Sequence, residues 1–116
     1  MARHERLLAW QRSHELTIAV YGATATWPSS ERYGLTSQAR RAAASVGANI
    51  AEGAARYGPR ELKRFLNIAL GSLGELENHL RLALDLGLMV REDFDHLAGL
   101  ANEAGKLTGL LARSLK

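Results

Sequence analysis

The sequence predicts an all-α fold: an antiparallel up-down-up-down four-helix bundle. Three observations predict it. The 116 residues are rich in Ala and Leu, with only two Pro and few β-branched residues, a composition that favours helix over sheet. Apolar residues recur in steps of three and four through four stretches of 20 residues or more. Short turns marked by Pro or Gly separate these stretches, so each helix must fold back beside the one before it. The length suits one domain, residues 1–116, with a core of its own.

The first helix is expected over residues 5–26. Leu8, Leu16, Ala19, Val20 and Ala23 supply its apolar face, and Trp10, His14, Thr17 and Tyr21 form a second stripe in steps of 4, 3 and 4. That aromatic stripe fits core or subunit contact better than a base-stacking platform. Trp27-Pro28 ends the helix, because Pro disfavours helical geometry at the residue before it. The second helix, residues 35–56, has two characters. Leu35, Ala39, Ala42, Ala43, Val46 and Ile50 make a smooth apolar face, while Gln38, Arg41, Ser45, Asn49, Glu52 and Arg56 step along a polar stripe. Gly47 and Gly53 each cost this helix about 1 kcal/mol relative to Ala, a cost that close approach of a neighbouring backbone would explain. Tyr57-Gly58-Pro59 then turns the chain, with Gly58 as N-cap, Pro59 at the first helical position and Glu61 at the third.

The third helix, residues 59–86, carries the clearest rhythm. Leu62, Leu66, Ala69, Leu73, Leu76, Leu80 and Ala83 alternate steps of 4 and 3. Phe65, Ile68, Leu70 and Leu84 flank that seam, which predicts burial on more than one side, and Gly87 stops the helix. The fourth helix, residues 92–115, opens with Glu92, Asp93 and Asp95, favourable to the helix dipole. Leu97, Ala101, Ala104, Thr108, Leu111 and Leu115 repeat the same steps.

Composition narrows the function. The absence of cysteine excludes disulfides and thiolate sites and suits a cytoplasmic protein. Charged Arg3, Glu5, Arg6 and Arg12 interrupt the N-terminus before any secretory apolar core, and no run is long enough to span a membrane. The net charge of +3 is uneven: residues 1–64 hold ten Lys/Arg against five Asp/Glu, and residues 65–116 hold five against seven. A basic half of this kind is compatible with polyanion binding or with an ordinary solvated surface.

No catalytic constellation stands out, so an enzyme is not expected. His4, His14, His79 and His96 read as surface or half-buried residues, and none has the partners of a metal site. No metal or cofactor is expected. Glu75 and Glu77, two apart, point to different faces of a helix, and Glu77 with Arg81 reads as an i, i+4 ion pair. Gly71-Ser72-Leu73-Gly74 lacks the lysine and strand of a phosphate loop and reads as a helix-packing feature. The candidates for phosphate contact are Arg40 and Arg41, projecting from the outer side of helix two, and Arg56, Arg60, Lys63 and Arg64 across the following turn. Gln38, Ser45, Asn49 and Glu52, polar beside small residues, are the candidates for a subunit seam.

A resemblance accompanies these residues. Trp10-Gln11, His14-Glu15-Leu16, Pro28, Glu31, Tyr33 through Gln38, Arg40-Arg41-Ala42-Ala43, Ser45, Ala48 through Gly53, Arg64-Phe65-Leu66, Ile68-Ala69, Gly71-Ser72-Leu73 and Glu75-Leu76-Glu77 occur in one order and spacing. In this the chain resembles the four-helix-bundle family of 23S rRNA intervening-sequence proteins. That family is similar to the accessory variability determinant (Avd) proteins of diversity-generating retroelements. Gly47 departs from the pattern, standing where the family commonly carries Pro. The resemblance implies a ring-like homopentamer and, in the retroelement branch, a basic surface that binds nucleic acid beside a partner reverse transcriptase. Five copies of +3 would carry about +15, enough to steer a polyanion. Two functions follow as expectations: an oligomeric accessory protein that binds RNA or DNA through phosphates, and a protein–protein interaction scaffold without direct nucleic-acid function.

Overall fold

Turn chemistry and capping set the element boundaries. The computed structural model describes residues 2–115; residues 1 and 116 of the expected 1–116 domain lie outside the described residues. The α-helices are α1 (Leu8–Thr24), α2 (Leu35–Ala55), α3 (Pro59–Asp85) and α4 (Arg91–Ser114), with 3₁₀ turns at Arg3–Arg6 and Ser29–Glu31. No strand occurs among the described residues.

The first helix starts later than its sequence suggests. Leu7 is extended (φ −80°, ψ 125°) and separates the 3₁₀ turn from α1. The Glu5 side chain accepts from the Ala2 amide at 2.7 Å, and Gln11 Nε2 donates to the Glu5 carbonyl at 2.8 Å, so local side-chain bonds stabilise the break. Leu8, counted from its spacing as core, is consequently exposed, and Ala9 and Ser13 are buried instead.

α2 begins where Glu31 reaches back to it. Its Oε1 accepts from the Leu35 amide at 3.1 Å, satisfying one orphan donor of the first turn. Gly34 makes room for this contact, since a Cβ there would lie 2.9 Å from Glu31 Oε1. The helix then runs without interruption through Gly47, where an added Cβ would meet Trp10 Nε1 at an ordinary 3.4 Å. Gly53 is different: a Cβ there would come within 2.8 Å of Phe65 Cβ and 3.3 Å of the Leu62 carbonyl. The close approach expected of the glycines therefore belongs to Gly53 alone. α3 ends at Gly87, whose φ of +76° and whose amide bond to the Leu84 carbonyl, with Leu88 N–H to Ala83 O, close a Schellman turn.

Each helix packs on two others: α1 on α2 and α4, and α3 on α2 and α4. Cross-helix contacts descend one helix as they climb the next. Thr17 Oγ1 donates to Ala43 O at 3.0 Å while Arg40 reaches Thr24. Ser45 meets Ser72, and Gly53 meets Phe65. Gly105 meets Leu73, and Lys63 meets Leu115. The result measures 43 × 23 × 22 Å. Leu16, Val20, Val46, Ile50, Leu66, Leu76, Leu80 and Leu97 fill its centre, joined by the predicted alanines of α2.

Four sequence expectations change at α3. Ile68 is exposed and Phe65, Leu70 and Leu84 are only half-buried, because α3 touches two helices and leaves its far side open. Gly71 and Gly74 face away from the core with nothing within 4 Å, so they are not packing residues within the protomer. Arg81 pairs with Asp85 at 3.2 Å rather than with Glu77. That choice places a cation beside the carboxylate in the negative last turn of the helix. His79 is buried, rather than half-buried or at the surface, and its Nε2 lies 3.2 Å from Glu75 Oε2. It sits three residues after Leu76, on the buried face.

Candidate nucleic-acid interface

The α2–α3 turn gathers cations because of three local features. Gly58 takes φ +84°, Pro59 starts α3, and Gly53 lets the two helices close against Phe65. Arg56 and Arg64 both lie against the Phe65 ring, with guanidinium carbons 5.1 and 5.0 Å from its centroid. Arg56 is paired with Glu52 at 3.0 Å, and Glu61 stands 3.8 Å from both Arg56 and Arg64. Lys63 Nζ donates to the Leu115 carbonyl at 3.4 Å. Arg60 is exposed and has no ion pair among the described residues.

Four cations thus face two carboxylates, and one cation is wholly uncommitted. Arg3 joins them: it and Arg56 line a hollow of about 210 Å³ with Gly53, Pro59 and Leu62. Sequence reasoning missed Arg3 because nothing in its spacing reveals that the N-terminal 3₁₀ turn packs on α2.

The other two candidates lie elsewhere. Arg41 is 15 residues before Arg56, roughly 22 Å along the helix. It is exposed and lines a hollow with Gln38, Ser45 and Glu75. Arg40 does not project outward as expected. It is half-buried, its Nε donates to Thr24 Oγ1 at 2.8 Å, and its guanidinium carbon stands 4.6 Å over the Tyr21 ring. It fastens α2 to α1. The six candidates therefore divide between two places instead of forming one patch.

The polar stripe of α2 divides too. Ser45 Oγ is 2.8 Å from Ser72 Oγ, and Asn49 Nδ2 donates to the Ser45 carbonyl and hydroxyl at 2.8 and 3.0 Å. These two residues satisfy each other within the α2–α3 groove. Gln38 and Glu52 stay exposed. On α1, Trp10 stacks on His14 at 4.7 Å. Among the described residues no group of three or more His, Asp or Glu is placed to hold a metal, and no helix is long and apolar enough to cross a membrane.

The family model described as 23S rRNA-intervening sequence protein matches residues 5–109. The chain belongs to that family. No curated protein matches it. Among solved structures, this intervening-sequence protein is similar to a protein with unknown function from the S23 ribosomal protein family of Bacteroides thetaiotaomicron. The TM-score is 0.77 at 24% identity, over 87% of this chain and 94% of that one. The match extends the four-helix fold to a crystal structure and, at this identity, speaks for fold alone. The matched span of the intervening-sequence protein takes in Arg40, Arg41, Arg56, Arg60, Lys63 and Arg64 but not Arg3.

Proposed function

We propose that this intervening-sequence protein is a non-enzymatic, oligomeric accessory protein that binds RNA or DNA through phosphate contacts. The observation that carries the proposal is the α2–α3 turn, where Arg56, Arg60, Lys63 and Arg64 outnumber Glu52 and Glu61 and Arg60 is unpaired. Such a surface binds a polyanion by displacing its counterions, without reading sequence. The family's name ties it to intervening sequences of 23S rRNA, which favours RNA as the polyanion. The proposal includes an up-down-up-down helix order, supported by the opposed registers of the cross-helix contacts, and a homopentameric ring in the cytoplasm. In its retroelement form, shared with Avd proteins, the ring presents RNA to a reverse transcriptase. Binding of a labelled single-stranded RNA at rising salt tests it: affinity should fall steeply, and Arg60→Glu with Arg64→Glu should flatten the dependence.

A second reading, a protein-interaction scaffold, is favoured by a different observation. Ala44, Ala48 and Ala55 on α2, and Ile68, Gly71 and Gly74 on α3, are exposed and mostly small. Small residues of this kind let another helix approach closely. On this reading Arg41→Glu or Asn49→Ala changes the oligomer mass measured by light scattering and leaves residual RNA affinity unaltered.

A further inference from the structure

A second basic feature lies at the opposite end of α2 from the Arg56–Arg64 cluster, and an aromatic ring stands open within it. Tyr33 falls in the connection between the Ser29–Glu31 turn and α2 and is 89% exposed. A lone exposed ring is ordinary on a protein surface. This one lines a hollow of about 320 Å³ together with Tyr21, Arg32, Ser37, Arg40 and Arg41. Three cations and two phenol rings thus share one concave surface, and no carboxylate lines it.

Local contacts decide which of these groups are free. Arg40 is committed: its Nε donates to Thr24 Oγ1 at 2.8 Å and its Nη2 to the Tyr21 carbonyl at 3.4 Å, with the guanidinium carbon 4.6 Å from the Tyr21 centroid. It therefore closes the α1 side of the hollow together with Tyr21. Arg32 and Arg41 are exposed and have no ion pair among the described residues. Glu31, next to Arg32 in the chain, places its Oε1 on the Leu35 amide at 3.1 Å instead. The Arg32 guanidinium carbon is 5.8 Å from the Tyr33 centroid, near the outer limit of cation–π contact. At 89% exposure the Tyr33 ring keeps most of its surface open to another partner.

We infer that this hollow takes one nucleotide of a single strand, with the base stacked on Tyr33 and the phosphate held by Arg32 and Arg41. Every base has a π face, so stacking on an aromatic side chain tolerates any sequence. In a duplex those faces are covered by neighbouring pairs, and an open ring favours a strand whose bases are unstacked. Guanidinium groups attract the phosphates of either form, so the ring is the part that discriminates. The inference rests on the nucleic-acid reading above and deepens it, adding a preference for single strands that charge alone does not supply.

The test compares three polyanions at one salt concentration: a labelled single-stranded oligoadenylate RNA, the same strand annealed to its complement, and inorganic polyphosphate, which carries charge without bases. The native protein should bind the single strand more tightly than the duplex. Tyr33→Ala should weaken binding of the single strand roughly tenfold, the loss expected of one stacked base, and leave the duplex and polyphosphate affinities within about twofold. Tyr33→Phe keeps the ring and should keep the affinity. Neither substitution should move the melting temperature, because the side chain is exposed. Arg32→Gln should weaken strand and duplex alike and lower the salt slope by about 1. Undiminished single-strand affinity in Tyr33→Ala, an equal loss on all three polyanions, a loss in Tyr33→Phe as large as in Tyr33→Ala, or an unaltered slope in Arg32→Gln would overturn the inference. The two readings fail separately. Salt-dependent RNA binding that Tyr33→Ala leaves intact overturns this site alone. A tenfold loss in Tyr33→Ala beside a salt slope that Arg60→Glu/Arg64→Glu leaves unchanged upholds this site and overturns the α2–α3 turn.

Discussion

At the scale of single residues, Gly47 and Gly53 look alike in sequence and differ entirely in place. Both interrupt an alanine-rich helix, and both are buried. Only Gly53 has backbone and Phe65 Cβ where its own Cβ would go. Gly53→Ala should therefore destabilise the protein by about 1–3 kcal/mol in chemical denaturation, through overpacking at the α2–α3 contact. Gly47→Ala should be neutral or stabilising by up to about 1 kcal/mol, since the helix gains propensity and Trp10 is at ordinary contact distance. Equal effects from the two substitutions would contradict this distinction. The difference was illegible in the sequence, because helical periodicity assigns a face but not the distance to the helix across from it. For the same reason the sequence placed Arg40 on an outer surface, where its adjacency to Arg41 suggested one basic pair. The structure gives the two different partners, with Arg40 on Thr24 and Tyr21 and Arg41 in solvent, while both still line one hollow.

At the scale of elements, strong rhythm was legible and side-chain capping was not. The 4, 3 seam of α3 predicted Leu62, Leu66, Ala69, Leu73, Leu76, Leu80 and Ala83; the last six are buried and Leu62, in the first turn, is half-buried. Leu76→Ala should cost about 2–5 kcal/mol, because the site is fully buried and its neighbours can only partly collapse. The boundaries of α1 depend instead on bonds that no periodicity encodes, such as Gln11 to the Glu5 carbonyl. The start of α2 depends on Glu31, whose carboxylate does the work of an N-cap from four residues upstream. Glu31→Ala should lower stability by about 1 kcal/mol, typical of a lost cap, and should fray the first turn in amide hydrogen exchange. An unchanged exchange rate at the α2 start would show that the Leu35 amide has another acceptor. Off-seam residues of α3 were misread for a geometric reason. A helix with two neighbours buries one sector, and Ile68, Gly71 and Gly74 lie outside it.

At the scale of the whole molecule, folding sorts charge differently from chain position. The sequence excess in residues 1–64 becomes two separate basic places at the ends of α2, one joined by Arg3 and the other by Arg32. Three acidic residues, Glu92, Asp93 and Asp95, crowd the start of α4. A protomer of +3 is a weak attractor, but a ring that repeats each basic end would present a field well above that of one copy. The fold, as four helices around an alanine- and leucine-rich core, was legible almost entirely. The candidate site was legible as a list of cations and not as an arrangement, since it depends on Gly53, Phe65 and the N-terminal turn meeting in space. The central claim is that Arg56, Arg60, Lys63 and Arg64 form an electrostatic nucleic-acid surface. The most direct test is the salt dependence of single-stranded RNA binding, compared between the native protein and an Arg60→Glu/Arg64→Glu variant. Four phosphate contacts per protomer predict that log K falls against log salt with a slope of about −3, and the variant should lose roughly half of that slope. Undetectable binding at low salt, or a slope that the double substitution leaves unchanged, would contradict the claim.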